Sequence, residues 1–388
     1  MSQVMILVGT TKGVFLIDGT ADRTAWSLRG PFCNGWPINH VIGDPKTGIL
    51  WAAGGNDWYG AGVWRSDDRG DSWTLSKLSN GGMDAWLARE PEFAAKIGMS
   101  PSPAAPFGTE VNAIWSLCFS GETLYAGAKP ASLFSSADKG AGWTRVQSLS
   151  DHPSRESWEP GGAGLVLHSI VGDPGNAEKL WVGISAAGVF ATDDGGKTWD
   201  RRNRMSNIGH DHDHSHAVAS NGEGAHETGL CVHNFVRASG TSDALYQQNH
   251  HGVFRSPDGG RSWDEVTAGL PSNFGFPIAV HPSDPNSIWV FPLNGDTQGR
   301  FPPGASAAIW RSRNGGAAWE SLQNGLPDKN CFFTVLRQAM AVDNEENVGV
   351  YFGTNSGSVF ASRNEGDSWS EVARHLPTVL SVETLQRA

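Results

Sequence analysis

The chain of 388 residues contains no run of 18 apolar residues, and Met1 to Gly19 hold no basic segment leading into an unbroken apolar core. A membrane helix needs about 20 apolar residues and a secretory leader needs both of those parts, so neither is expected and the cytoplasm is the expected compartment. Basic residues are scarce: 29 Lys and Arg against 40 Asp and Glu leave a formal net charge of -11, without a basic cluster. Nucleic acid and anionic membrane surfaces are therefore disfavoured, because both are held by a positive footprint, and neutral or cationic partners fit the overall charge better. Cysteine is sparse as well. Cys33, Cys118, Cys231 and Cys331 stand far apart without a CxxC pair, so they read as free thiols rather than a disulfide framework.

Charged residues make up only 18%, whereas Gly (49), Trp (17) and Phe (17) are plentiful, the profile of an all-β protein with many turns. The tryptophans are ordered. Trp26, Trp73, Trp143, Trp199, Trp263, Trp319 and Trp369 each close a similar segment, spaced from 47 residues (Trp26 to Trp73) to 70 (Trp73 to Trp143). Six carry a Ser/Thr-x-Asp/Asn-x-Gly-x-x-Trp box: Ser66-Asp68-Gly70-Trp73, Ser136-Asp138-Gly140-Trp143, Thr192-Asp194-Gly196-Trp199, Ser256-Asp258-Gly260-Trp263, Ser312-Asn314-Gly316-Trp319 and Ser362-Asn364-Gly366-Trp369. Each box follows a β-rich stretch such as Gly252-Val253-Phe254-Arg255 and precedes alternating polar and apolar residues, which makes it a hairpin turn. The hydroxyl and the Asp or Asn side chain bond the turn's backbone, Gly supplies a positive φ, and Trp buries its ring between neighbouring sheets.

The boxes resemble those of the Asp-box, or BNR, repeat proteins, over essentially the whole chain. That family includes sialidases, xyloglucanases, sortilin-type receptors and photosystem assembly factors, so the resemblance speaks to fold more than to activity. Sialidases would need an arginine triad, an Arg-Ile-Pro element and a Tyr/Glu nucleophile pair; no Arg-Ile-Pro is present, and Tyr125, Tyr246 and Tyr351 fall in second strands rather than at an axis. Ile278 to Pro285 and Gln323 to Pro327 are similar to xyloglucanase repeats, but those enzymes clamp a polymer between two propellers and this chain has repeats for one.

Seven innermost strands can be counted: Ile38 to Ile42, Val111 to Phe119, Leu165 to Val171, Leu230 to Val236, Phe276 to Val280, Thr334 to Val342 and Val379 to Leu385. The last has no box after it, while Met5 to Thr10, Gly13 to Asp18 and the Trp26 strand have no inner strand before them. The expected fold is therefore all-β, a single seven-bladed β-propeller over residues 1–388, with blade seven shared by 1–30 and 378–388. Long insertions at 77–109, 147–163 and 203–228 fall on the face opposite the boxes, where a site is expected.

On that face, Trp36, Trp58 and Trp158, with Trp115 on an inner strand, could stack on a flat polar ligand; the alternative is that loop aromatics pin the insertions. Nine of thirteen histidines are His168 or fall between 210 and 251, including the alternating run His210 to His216. His168 and His233 should occupy aligned positions on adjacent inner strands. With His250 and His251 they could hold one divalent transition metal (Zn, Mn, Fe or Ni) or move protons; otherwise they are hydrogen-bonded core residues beside a solvated loop. Glu110 and Glu159 complete the catalytic candidates with His168 and His233, and Glu383 lies on the closing strand. No organic cofactor is indicated. The expectation is a hydrolase or lyase for a small polar, sugar-like metabolite, with a non-catalytic propeller that binds a protein partner as the alternative.

Overall fold

The computed structural model describes residues 3–205, 227–240 and 243–387. Its boxes fold into one repeated turn. In blade four Ser256 Oγ donates to Asp258 Oδ1 at 2.9 Å and accepts the Gly260 N–H at 2.7 Å, while Asp258 accepts the Ser262 N–H and hydroxyl at 2.9 and 2.7 Å. Gly260 has φ 85°, and the box glycines of the other blades lie between 85° (Gly196) and 99° (Gly366), a region that an L side chain enters only under strain.

These turns link the third and fourth strands of four-stranded antiparallel sheets, of which there are seven among the described residues. The innermost strands of blades one to seven are Ile38–Gly43, Ala113–Ser120, Val166–Asp173, Val232–Arg237, Gly275–Val280, Met340–Val342 and Val379–Arg387. Each packs against the next and the seventh against the first, so the ring is closed. In blade seven Val379–Arg387 is innermost and Gln3–Thr10, Gly13–Gly19 and Trp26–Phe32 lie outside it, so the chain ends build one sheet and no blade is left with an open inner edge. The outer part of this blade is tied to blade six by Arg23, whose Nη1 lies 2.7 Å from Asp343 Oδ2; Tyr351 donates to the same oxygen at 2.7 Å.

The sixth inner strand is shorter than its sequence suggests. Residues 334–339 lie outside the paired strand: Ala339 O accepts the Gly353 N–H and Thr334 O the Asn355 N–H of their own blade, each at 2.9 Å, while Gln338 bridges to Ser381 and its carbonyl accepts the Val382 N–H of blade seven at 2.8 Å. Of the six box tryptophans, Trp263 and Trp369 are buried and the other four half-buried, as is Trp26. They still reach between sheets: Trp263 Nε1 donates to Arg202 O and Trp319 Nε1 to Val266 O, each at 2.9 Å. The 77–109 insertion forms helices α1 (Gly82–Arg89) and α2 (Pro91–Lys96). Most of the 203–228 insertion, with the His210 to His216 run and His226, lies outside the described residues. No helix among the described residues is long and apolar enough to cross a membrane. The four cysteines are free.

Candidate functional site

Six of the seven inner strands skip residues in pairing with their second strand, near the face opposite the boxes. The skipped residues are Asn39, Trp115, His168, His233, the pair Phe276 and Pro277, and Leu380. A bulge leaves its extra residue unpaired and re-aims the side chain. His168 and His233 thus hold equivalent places on blades three and four, as their spacing suggests, and Trp115 holds the same place on blade two.

His168 is buried, with Nδ1 2.9 Å from Ser169 Oγ and Nε2 3.0 Å from Ser185 Oγ. Ser185 donates its own proton to Val232 O at 2.6 Å, so Nε2 carries the proton in the His168–Ser185 pair. Val232 lies between Cys231 and His233. His168 therefore positions the Cys231–His233 segment. Below it a polar network crosses the axis: Ser169 donates to Asn234, Asn234 to Arg337 O and Gln338 to His168 O, at 2.9, 2.8 and 2.5 Å.

His233 is buried against Phe274 and Phe276, and its Nδ1–H donates to Gly275 O at 2.6 Å. The ring nitrogen it has to offer is then Nε2. His250, from the second-to-third-strand loop of the same blade, stacks edge-on at 5.4 Å between ring centroids, and its backbone N–H bonds Cys231 O at 3.1 Å. Ligand atoms of Cys231, His233 and His250 all lie within 4.8 Å of one another. His168 and His251 stand outside this group, and Cys231, which the sequence offered only as a free thiol, stands within it. The Cys-x-His spacing at 231–233 was the available signal, since alternate residues of an extended chain point to one side.

Two guanidinium groups border the cluster. Arg337 lies over Phe276 at 5.0 Å, with its Nε buried and unpartnered among the described residues. Arg300 lies over the same ring at 5.7 Å and pairs with Asp296 at 2.5 Å; Asp296 Oδ2 is 3.7 Å from His250 Nε2. Burial, then the Arg337 charge, push His168 and His233 well below the ordinary imidazole value, so both are neutral bases. Burial raises the Cys231 thiol and Arg337 opposes that rise. Arg337 itself is lowered by burial to about 10 and keeps its charge at neutral pH. The mouth is thus locally cationic in a protein of net charge -11, which total charge could not disclose.

A loop covers it. A Cβ built on Gly161 would lie 3.8 Å from Cys231 Sγ, and one on Gly162 3.8 Å from Arg300 Nη2. Glu159 begins this loop, exchanging backbone hydrogen bonds with Ala186 while its side chain is exposed. Glu110 lies elsewhere: it pairs at 2.6 Å with Arg145, on the outermost strand of blade two, because its turn leads away from the axis. Trp36 is buried against Tyr59 and Trp64, and Trp158 against Phe190 with Arg155 over its ring, so both pin insertions. Trp58 is 46% exposed beside Trp86. Trp115 is half-buried at its bulge. Glu383 faces the channel with His40, which accepts the Leu117 N–H at Nδ1 and so donates through Nε2, 3.2 Å from Glu383 Oε1. A cleft of about 280 Å³ between the Asn56–Gly60 hairpin and α1 shares no residue with the cluster and offers no imidazole or thiol.

No family model and no curated protein matches the chain. Solved structures do. A GH74 xyloglucanase from Xanthomonas campestris aligns at 18% identity and TM-score 0.60 over 95% of this chain and 52% of its own. An ancestral GH74 enzyme is covered over only 36% of its length, so this chain spans between about a third and a half of these enzymes. A putative 6-phosphogluconolactonase from Bacteroides fragilis aligns at 10% identity and TM-score 0.55 over 99% and 98%. YCF48 bound to a D1 peptide aligns at 15% and 0.51 over 87% and 82%. At such identities the likeness is one of fold, the propeller, and the repeat family remains a resemblance carried by the boxes.

Proposed function

We propose that the protein is a hydrolase or lyase acting on a small, polar, sugar-like metabolite that carries a carboxylate or phosphate, bound at the axial mouth opposite the boxes. The observation that carries this reading is the convergence of Cys231, His233 and His250 with Arg300 and Arg337 under the 159–164 loop. The guanidinium groups hold the anionic group of the substrate, as their planar donors suit it. His233 and His250 accept or return a proton at the reacting carbon, His233 through Nε2. Trp115 offers its ring to the sugar face, and Glu159 supplies a carboxylate at the start of the loop. That two propeller neighbours are named for chemistry on sugars is consistent with such a role for the fold and says nothing of this site.

The test is a turnover screen over sugar lactones, sugar phosphates, uronic acids and glycosides. His233→Asn and Arg337→Gln should each lower kcat/KM by about 100-fold or more, within the range of lost acid–base or charge-assisted contacts. Activity that survives both changes would overturn the assignment. A second reading is favoured by one observation: Trp58, Phe93, Ile97 and Met99 leave 42–46% of their surface exposed on and around α1 and α2. Such a face suits a protein partner, as in YCF48, whose structure holds a peptide. Retention of one defined partner by the intact protein, lost in Trp58→Ser/Phe93→Ser, together with a silent screen, would favour it.

A further inference from the structure

We propose that the axial mouth binds one divalent transition ion of the zinc class through Cys231 Sγ, His233 Nε2 and one ring nitrogen of His250. The assignment rests on the hydrolase reading and deepens it by giving that site its ion, with His233 Nε2 and one His250 nitrogen acting there as ligands in place of proton carriers, and metal binding can be measured without turnover.

Three features carry it. The donor set comes first: one thiol and two imidazoles, on the residue that leads into an inner strand, on that strand and on the neighbouring loop, with mutual ligand-atom separations of at most 4.8 Å. Ligands of a tetrahedral zinc site with Zn–S of about 2.3 Å and Zn–N of about 2.0 Å lie roughly 3.5 Å apart, so closing about the ion takes roughly 1 Å, within reach of side-chain rotation at Cys231 and His250. The second feature is the orientation of His233. Its Nδ1–H is fixed on Gly275 O at 2.6 Å, the outer hydrogen bond that metal-bound imidazoles usually make, which sets the tautomer and turns Nε2 toward the other donors. The third is the surrounding charge. Asp296 Oδ2, 3.7 Å from His250 Nε2, supplies an anion beside the group.

Three protein ligands leave a fourth position, and the parts that border it are the 159–164 loop and Arg300. Zinc sites of this composition keep that position for water or substrate, whereas closed structural sites fill it with a fourth side chain. A bound ion would lower the pKa of such a water and polarise a carbonyl or phosphoryl oxygen held by the two arginines. The ligand set differs from the four-histidine set that the sequence suggests: His168 bonds two serine hydroxyls, and His251 lies outside the group.

The test uses the full chain, stripped with chelator and titrated with Co(II). Expected are one equivalent bound, the visible absorption of four-coordinate cobalt, and a near-ultraviolet thiolate-to-cobalt charge-transfer band. Cys231→Ser should lose that band, His250→Ala should weaken binding by more than about 100-fold, and His251→Ala should change neither. Unchanged circular dichroism and melting in chelator separate loss of a ligand from loss of fold. Failure of the chelated wild-type protein to bind cobalt stoichiometrically, or a charge-transfer band that survives in Cys231→Ser, overturns the site. Stoichiometric metal with a silent substrate screen leaves this site standing and removes the hydrolase reading; turnover by chelated protein that binds no cobalt does the reverse.

Discussion

The indole Nε1 of Trp181 in blade three donates at 2.9 Å to the carbonyl oxygen of Gly259, inside the box turn of blade four. The same bond joins Trp51 to Lys139 O at 2.8 Å and Trp289 to Glu365 O at 2.9 Å, from blade one to two and from five to six. In each case the acceptor precedes the box glycine and has a positive φ, which points its carbonyl back at the preceding blade. The box is therefore also an inter-blade acceptor, and the fully buried second-strand tryptophans are its donors. Trp181→Phe keeps most of the apolar contact but deletes the donor and part of the ring. Arg202 Nη1 still bonds Gly259 O at 2.9 Å, so the carbonyl keeps a partner, and the expected loss is about 2 kcal/mol. Urea unfolding should show a lower midpoint at unchanged slope; an unchanged midpoint would mean that the bond does not pin the blades.

Acid should destabilise the ring through its neutral histidines. His168 and His233 have folded-state pKa values well below the ordinary 6.5, burial being the main cause. Between the folded value and 6.5 the unfolded chain binds more protons, so stability rises with pH; the contribution is complete above pH 6.5 and is lost as pH falls below it. Each group gives a slope of up to about 1.4 kcal/mol per pH unit in that window. His168→Gln should flatten the dependence of melting temperature on pH between 6.5 and 5 by about half of the two-histidine share. A wild-type curve that is flat there would show that these imidazoles bind protons alike in the folded and unfolded chain and are not shifted by burial.

The repeats made the ring legible because each box states its own geometry: hydroxyl, carboxylate or amide, glycine and ring at fixed offsets are one turn's hydrogen bonds written out in order. Closure was legible because an inner strand at 379–385 lacked outer partners and three N-terminal strands lacked an inner one. The site was legible only in part. His168, His233 and His250 could be placed near one another because topology sets the height of an inner strand and of a second-to-third-strand loop. Which of them face one another could not, since that depends on side-chain direction at the bulges and on the hydrogen bonds that Ser185 and Gly275 make with the two rings. Arg300 and Arg337 come from blades five and six, and nothing local in sequence links them to Cys231. Trp158 and Trp36 illustrate the reverse: their loops run across the expected face, but each ring turns inward to anchor its own insertion.

Two substitutions in the boxes should move stability in opposite directions. Gly366 has φ 99°, and a Cβ there would meet Leu322 Cδ1 at 2.6 Å, so Gly366→Ala should cost about 1–3 kcal/mol in backbone strain and displaced packing. Lys139 sits at φ 59° where three other boxes have glycine (Gly195, Gly259 and Gly315). Lys139→Gly should remove strain of at least about 1 kcal/mol against a glycine entropy cost of about 0.5–1 kcal/mol, leaving the protein as stable or slightly more so. Calorimetric melting of both variants checks the signs; equal losses in the two would refute the turn geometry as the cause.

Arg337 should set the reactivity of Cys231. Burial raises this thiol, and the guanidinium opposes the rise by favouring the thiolate. Removing the charge in Arg337→Gln should therefore shift the pH profile of Cys231 alkylation upward and slow the reaction at pH 8. A shorter side chain also opens the mouth, which by itself would speed alkylation at every pH by one common factor. The midpoint of the profile is insensitive to that factor, so it isolates the electrostatic effect. Peptide mass spectrometry after timed iodoacetamide treatment in chelator separates Cys231 from Cys33 and Cys331, which are buried. An upward midpoint in Arg337→Gln with an unchanged one in Arg300→Gln would place the dominant field at Arg337, because Arg300 is already paired with Asp296. A midpoint that stays fixed in Arg337→Gln would mean that the guanidinium is too well screened to act on the thiol, and the role given to it in holding an anionic substrate would lose its support.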